Sequence, residues 1–347
     1  ARSAWRSSSA TTLASRRDAF IFALAEVHVL DGTGKNLAAG APVTALDSIE
    51  APGAWSRSYL TDQWYPGSSA SPDNPALPDR AALAEERRRL IDQLLGAQEA
   101  SALARAVYLL ALGADVLDLG AESTRPGATR VDATTELARL LPVVQALRRR
   151  FPQAVLSVDT YKATVARACV EAGVDLVNDV EGGRFEARPD ESPMGSACAA
   201  LRCPLILMHR RPQPDYEDFW TEVLRDLRVS LRCAQASGMR PEQLWTDPGF
   251  GFGKTPAQNL MLVRDLAKIT ALGFPVLLGT SRKSTLGLVL GEADPLRRGP
   301  GNDVTAAWGI AQGASMIRVH DVAALRPIVR MADALRRGPS WEPEARG

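Results

Sequence analysis

Residues Asp115–Gly127 read DVLDLGAESTRPG, and the two halves of that stretch differ in kind. Val116–Leu119 is a short apolar run broken by one carboxylate, of the length and composition of a strand buried on both faces of a parallel sheet. It stops at Gly120, and the residues beyond it are small, hydroxylated or basic. An amphipathic segment, Ala133–Arg150, comes next. A strand, a polar loop and a helix in that order make one βα unit.

The unit recurs. Apolar runs lie at Val155–Val158, Leu176–Val177, Leu205–Met208, Leu244–Thr246, Val276–Leu278 and Met316–Val319. Helix-like segments separate them at Lys162–Ala172, Tyr216–Ser237, Ala257–Leu272, Asp303–Gln312 and Val322–Arg337, with Ser196–Arg202 the weakest of the set. Such alternation implies parallel strands joined by crossover helices. The visible runs number seven, which suits an open doubly wound sheet; an eighth would close a barrel. Polar residues end nearly every run. An open sheet needs them at one crevice, whereas a barrel gathers all strand ends around one mouth, so the pattern favours a (β/α)8 TIM barrel.

The missing strand is expected near Ser58–Thr61, ahead of a long helical stretch at Arg80–Leu112. That places the barrel at residues 57–340 and leaves 1–56 as an N-terminal extension or linker. Within the extension, Ala19–Val29 is a possible strand. Trp64–Pro78, rich in Pro, Ser and Gly, reads as an exposed loop. The first 17 residues carry Arg2, Arg6, Arg16 and Arg17 and no acid, which is similar to a mitochondrial transit peptide; a disordered tail fits equally. The expected compartment is therefore cytoplasmic or mitochondrial.

Composition removes other classes. With 46% apolar residues the chain of 347 is too hydrophobic to be disordered, and 41 Lys+Arg against 40 Asp+Glu gives no electrostatic footprint for nucleic acid or an anionic membrane. No apolar run reaches the roughly 18–20 residues of a membrane helix. Cys169, Cys198, Cys203 and Cys233 form no CxxC pair and read as reduced, mostly buried thiols.

The strand ends carry the chemistry. Ser123, Thr124 and Arg125 suit an anion, because backbone N–H groups, hydroxyls and a guanidinium can share its oxygens. Asp159 and Asn178 end neighbouring strands, and a carboxylate beside an amide can bind the donor and acceptor edge of a heterocycle. Asp159 reads equally as a helix N-cap. The run Asp247–Thr255 (DPGFGFGKT) fails the P-loop pattern, since Pro248 stands where the first Gly belongs; its glycines fit an aromatic loop that approaches a planar ligand closely. Arg318 and His320 are two apart and share a strand face, as a diphosphate clamp requires. His209 and His28 read as structural. No Ser-His-Asp order or nucleophile elbow is present, and three histidines cannot supply a His-rich metal site.

Taken together, LDLGAESTRPG ending at Gly127, SVDT at 157–160, VNDV at 177–180, LMH at 207–209, DPGFGFGK at 247–254, LGTSRK at 278–283 and IRVHD at 317–321 resemble the dihydropteroate synthase family. The resemblance spans about residues 103–335. It implies a pterin-binding barrel that joins 6-hydroxymethyl-7,8-dihydropterin diphosphate to p-aminobenzoate, with Mg²⁺ as cofactor and sulfonamides as competitors. By the same resemblance Asp159, Asn178, Met208, Asp247, Phe252 and Lys283 hold the pterin. Thr124, Arg125, Arg318 and His320 take the diphosphate, and Arg125, Pro126, Phe252 and Ser281 shape the p-aminobenzoate side. Asp159, Lys283, Arg318 and His320 are the catalytic set, and a homodimer is the implied assembly.

One family feature is missing. The first-strand motif N-V-T-P-D-S-F-S-D-G, whose Asn ligates Mg²⁺, has no match; the corresponding region reads Tyr59–Ser69 (YLTDQWYPGSS), so the metal ligand is unassigned. Two other functions therefore stand beside the synthase: a non-catalytic pterin-binding homologue, and a methyltetrahydrofolate-dependent methyltransferase, which has no use for an Arg318–His320 clamp. A fainter resemblance, of Arg17–Val27 to the end of a fused hydroxymethyldihydropterin pyrophosphokinase, suggests a fusion remnant.

Overall fold

A computed structural model describes residues 20–26, 98–123, 130–188 and 191–341. Among the described residues eight strands form one sheet: β1 (Phe20–Glu26), β2 (Val116–Gly120), β3 (Val155–Asp159), β4 (Leu176–Asp179), β5 (Leu205–Met208), β6 (Leu244–Asp247), β7 (Leu277–Leu278) and β8 (Met316–Val319). Their order is β6-β5-β4-β3-β2-β1-β8-β7, with parallel pairing throughout. A parallel bridge between Thr246 and Val276 joins the two end strands and closes the barrel.

The helices between them are α1 (Gln98–Ala111), α2 (Ala133–Arg150), α3 (Ala163–Ala172), α4 (Pro193–Leu201), α5 (Phe219–Ala236), α6 (Pro256–Arg264), α7 (Ser284–Leu290), α8 (Gly299–Ala311) and α9 (Val322–Arg337). Local chemistry fixes several starts. The Asp132, Asp218 and Asp321 carboxylates accept from backbone N–H groups three residues on, and Thr255 with Gln258 forms a reciprocal capping box ahead of α6. The segment expected as one helix over 257–272 is two, α6 and a single turn at Ala267–Thr270.

The expected first strand near Ser58–Thr61 lies outside the described residues. The position between β2 and β8 is taken by Phe20–Glu26, inside the segment expected as an N-terminal extension. Phe22 pairs with Val116 and Arg318, and Glu26 with Gly120. The reason is physical: FIFALAE carries six apolar residues in seven and can be buried on both faces between parallel neighbours. The transit-like first 17 residues and the loop at 64–78 are outside the described residues.

Alternation along each strand then sorts the side chains. Val116, Leu176, Ile206, Trp245, Leu277 and Met316 form one fully buried cluster inside the barrel. Their neighbours on the other face, such as Leu117, Leu156, Val177 and Leu205, join the larger core beneath the helices. Two residues beyond the inner cluster, on the same inward face, come Asp118, Asn178, Met208, Asp247 and Arg318. The apolar plug at one end of the barrel thus becomes a polar mouth at the other, at the C-terminal strand ends.

Candidate active site

Register brings the mouth residues side by side. Asp118 pairs with Ser157 across β2 and β3, Gly120 with Asp159, Asp159 with Asn178, and Met208 with Asp247. Arg318 reaches across from β8: its Nε donates to Asp118 Oδ2 at 2.9 Å and its Nη2 to Asp159 Oδ2 at 2.9 Å. Asn178 Nδ2 donates to the same Asp118 oxygen at 3.1 Å. Asp118 is wholly buried and Asn178 nearly so. Yet among the described residues Asp118 Oδ1, Asn178 Oδ1 and Ser157 Oγ have no hydrogen-bond partner. Buried acceptors of this kind are costly unless something binds them, so they mark where a ligand's donors fit.

The opposite wall pairs a carboxylate with an ammonium. Burial pushes the Asp247 pKa up, against the pull of Lys283, and withdrawal from water brings the Lys283 ammonium down to about 8 despite Asp247. Asp247 Oδ1 accepts from Gly249 N at 2.7 Å, and Lys283 Nζ donates to Phe250 O at 2.6 Å while lying 4.9 Å from the Phe252 ring centre. Met208 packs with Tyr161 and Val180, and Phe185 and Phe252 lean on that cluster, so an apolar patch adjoins the polar groups. At the β7–β8 edge, His320 Nδ1 and Ser281 Oγ are 2.8 Å apart.

Of the residues expected in the site, Asp159, Asn178, Met208, Asp247, Phe252, Lys283, Arg318, Ser281 and His320 all stand at this mouth. Thr124, Arg125 and Pro126 fall outside the described residues. Arg318 enters the mouth already bound to two carboxylates, a partnership that its place on β8 does not reveal. Asp118 joins the site in addition to the residues expected there. The signal was present, since it lies two positions after the inward-facing Val116, as Asn178 does after Leu176.

A second buried group lies behind the glycine-rich loop. Lys254 Nζ donates to Gly249 O at 3.0 Å and Phe252 O at 3.0 Å and sits 2.9 Å from His209 Nδ1. With Nδ1 facing an ammonium, the His209 ring presents its Nε2 to Asp226, 3.5 Å away. Burial lowers the His209 pKa to about 4. His209 is thus structural, as expected, and Lys254 holds the loop. Gly249 has no room for a side chain, because a Cβ there would fall 1.8 Å from His209 O.

Glu122, at the exit of β2, is tied down as well. Its carboxylate accepts from Tyr161 Oη at 2.7 Å and from Lys162 Nζ, which also donates to Glu136 at 2.5 Å. Burial opposes the charge on Lys162, but its two carboxylates hold the ammonium above its ordinary pKa.

The Mg²⁺ that the resemblance implies finds no ready donor set here. Among the described residues no three His, Cys, Asp or Glu side chains converge as metal ligands. Asp118 and Asp159, which share the inward face, have the Arg318 guanidinium between them as their positive charge.

A parallel barrel that ends in a carboxylate- and amide-lined mouth above an apolar shelf is the architecture of a pterin binding enzyme, and the family profile with that description matches residues 89–320. A dihydropteroate synthase of Synechocystis is 41% identical over 244 residues, 68% of this chain and 82% of that protein. Two solved structures of the Xanthomonas albilineans dihydropteroate synthase are also similar. The one with 4-aminobenzoic acid is 30% identical, with a TM-score of 0.69 over 93% of this chain and 94% of that one. The one with 7,8-dihydropteroate is 37% identical, with a TM-score of 0.63 over 70% and 89%. The chain belongs to the dihydropteroate synthase family.

Proposed function

We infer that this chain is a transferase that joins 6-hydroxymethyl-7,8-dihydropterin diphosphate to p-aminobenzoate, forming 7,8-dihydropteroate and releasing pyrophosphate. One observation carries the reading: the Asp118 and Asn178 side-chain oxygens, without partners among the described residues, share the strand-end mouth with Asp159, Asp247 and the apolar Met208 cluster. A pterin offers a planar ring for that cluster and a row of N–H donors for those oxygens. Asp159, beside the Arg318 guanidinium, stabilises the positive charge that develops on the pterin methylene as its C–O bond to diphosphate breaks. Lys283 holds the ring from the Asp247 side. His320 and Arg318, with Thr124 and Arg125 as the resemblance implies, receive the departing diphosphate, and the aniline nitrogen of p-aminobenzoate attacks the methylene and releases one proton to water. No step is assigned to Mg²⁺, because the described residues do not fit it.

The test is dihydropteroate formation from the two substrates, with Asn178→Ala expected to lower kcat/KM by about tenfold or more through the lost ring contact. Folded wild-type protein that makes no product while binding the pterin would instead favour the non-catalytic reading, which rests on the missing first-strand asparagine. A methyltransferase is disfavoured by the cationic β8 end.

We propose further that the chain pairs as a homodimer. Val304 and Trp308 on α8, and Met331 and Leu335 on α9, are four-residue-spaced apolar stripes at least half exposed on adjacent helices. Sedimentation decides it; a monomer at working concentration rules it out.

A further inference from the structure

We propose that Asn259, on the outer helix α6, is a positioning residue that sets Lys283 for the pterin by locking the glycine-rich loop to the start of α7. This rests on the pterin reading above. The loop Gly249–Gly253 has few partners of its own kind; side chains from elsewhere hold its backbone. Lys254 takes two of its carbonyls, Tyr216 Oη donates to Gly253 O at 3.0 Å, and Lys283 takes Phe250 O. That same Phe250–Gly251 peptide is fixed from its other side by Asn259, whose Oδ1 accepts from Gly251 N at 2.7 Å.

Asn259 uses its other end on a different element. Its Nδ2 donates to Thr285 Oγ1 at 3.0 Å, two residues past Lys283 in the chain. Both Asn259 and Thr285 are buried, at 2% exposure each. One amide therefore ties the loop that supplies the acceptor for Lys283 to the helix whose N-cap is Lys283 itself. The two ends of the Lys283–Phe250 hydrogen bond cannot drift apart without breaking it. Gly251 reinforces the fit: it has φ +86°, and a Cβ there would press on Lys283 Cδ at 3.3 Å.

The same chemistry predicts the response to substitution. Thr285→Val keeps the shape and removes the acceptor, leaving a buried amide proton unmet; Thr285→Ser restores it. Asn259→Ala frees both connections. Pterin diphosphate binding by calorimetry is expected to weaken about tenfold in Asn259→Ala and severalfold in Thr285→Val, and to stay near wild type in Thr285→Ser. In a Lys283→Met background, Asn259→Ala should add less than about twofold, because the group it positions is gone. Full multiplication of the two effects, or wild-type affinity in Thr285→Val, overturns the proposal. If Asn259→Ala does not fold, the isosteric Thr285→Val carries the test alone.

A ligand-free readout separates this from the functional reading. The Lys283 ammonium signal, assigned by its loss in Lys283→Met, is followed by NMR of labelled lysines. It should shift in Thr285→Val and return in Thr285→Ser; an unmoved signal sinks the positioning role. Wild-type protein that fails to bind the pterin sinks the functional reading instead.

Discussion

Arg148 and Arg318 both place a guanidinium against a carboxylate, at opposite ends of the barrel, and their surroundings make them different devices. Arg148, on α2, donates to Gly173 O, Pro152 O and Ala154 O and to Asp175 Oδ2, at distances between 2.5 and 3.0 Å. It knits together the loops that lead into β3 and β4, and its partners are backbone and one carboxylate. Arg318 also binds carboxylates, but beside them stand buried oxygens of Asp118 and Asn178 that no described residue satisfies. A saturated cluster stabilises a fold, whereas one left partly unsatisfied at a cavity mouth is built to receive a ligand.

That contrast can be broken by experiment. The largest effect is expected from Arg318→Met, which removes the charge against Asp118 and Asp159 and should lower kcat/KM by about 10²–10³-fold. Its melting temperature should fall less than that of Arg148→Met, since the mouth admits water to the orphaned carboxylates. Arg148→Met should cost about 3 kcal/mol in urea unfolding, because it takes the guanidinium from Asp175 and from several carbonyls at once, while kcat/KM of the folded fraction stays within about twofold of wild type. If Arg148→Met damaged turnover more than stability, the division of labour between the two ends would be wrong.

The smallest effect concerns the His209–Lys254 group, which lies at the mouth but acts as a support. The fold keeps His209 neutral with a pKa of about 4 against an ordinary 6.5. A depressed pKa contributes stability that is fully present above pH 6.5 and is lost as the pH falls toward 4. The full loss is up to about 3 kcal/mol. His209→Asn, which retains an acceptor for Lys254 and cannot take up the proton, should flatten the acid limb between those pH values. Parallel acid limbs in the two proteins would show that His209 does not titrate as described.

Much of this was legible in the chain because it is local. Period-two alternation puts Leu176 and Asn178 on one face, and Met316 and Arg318 on another, wherever the strand ends up. The glycine-rich run announced a loop, and Gly249, Gly251 and Gly253 take the positive φ that glycine alone adopts freely. The first strand was not legible at its true place. FIFALAE has strand-like residues, but nothing local says which neighbours it joins, and only pairing with β2 and β8 places it in the barrel. Lys254 and Asn259 gave no signal, since a buried ammonium on three carbonyls and an amide bridging two loops look in sequence like any polar residue near a helix start.

The sequence by itself determined the repeating βα unit, the face on which each strand-end group lies, and the family these motifs define. Each depends on neighbours within a few residues. The tertiary structure alone decided that Arg318 meets Asp118, 200 residues away, that Phe20–Glu26 fills the gap between β2 and β8, and that Asn259 joins two loops behind Lys283. Those partnerships follow from barrel closure and register, which are set by how the apolar plug and the surrounding helices pack and not by any local pattern.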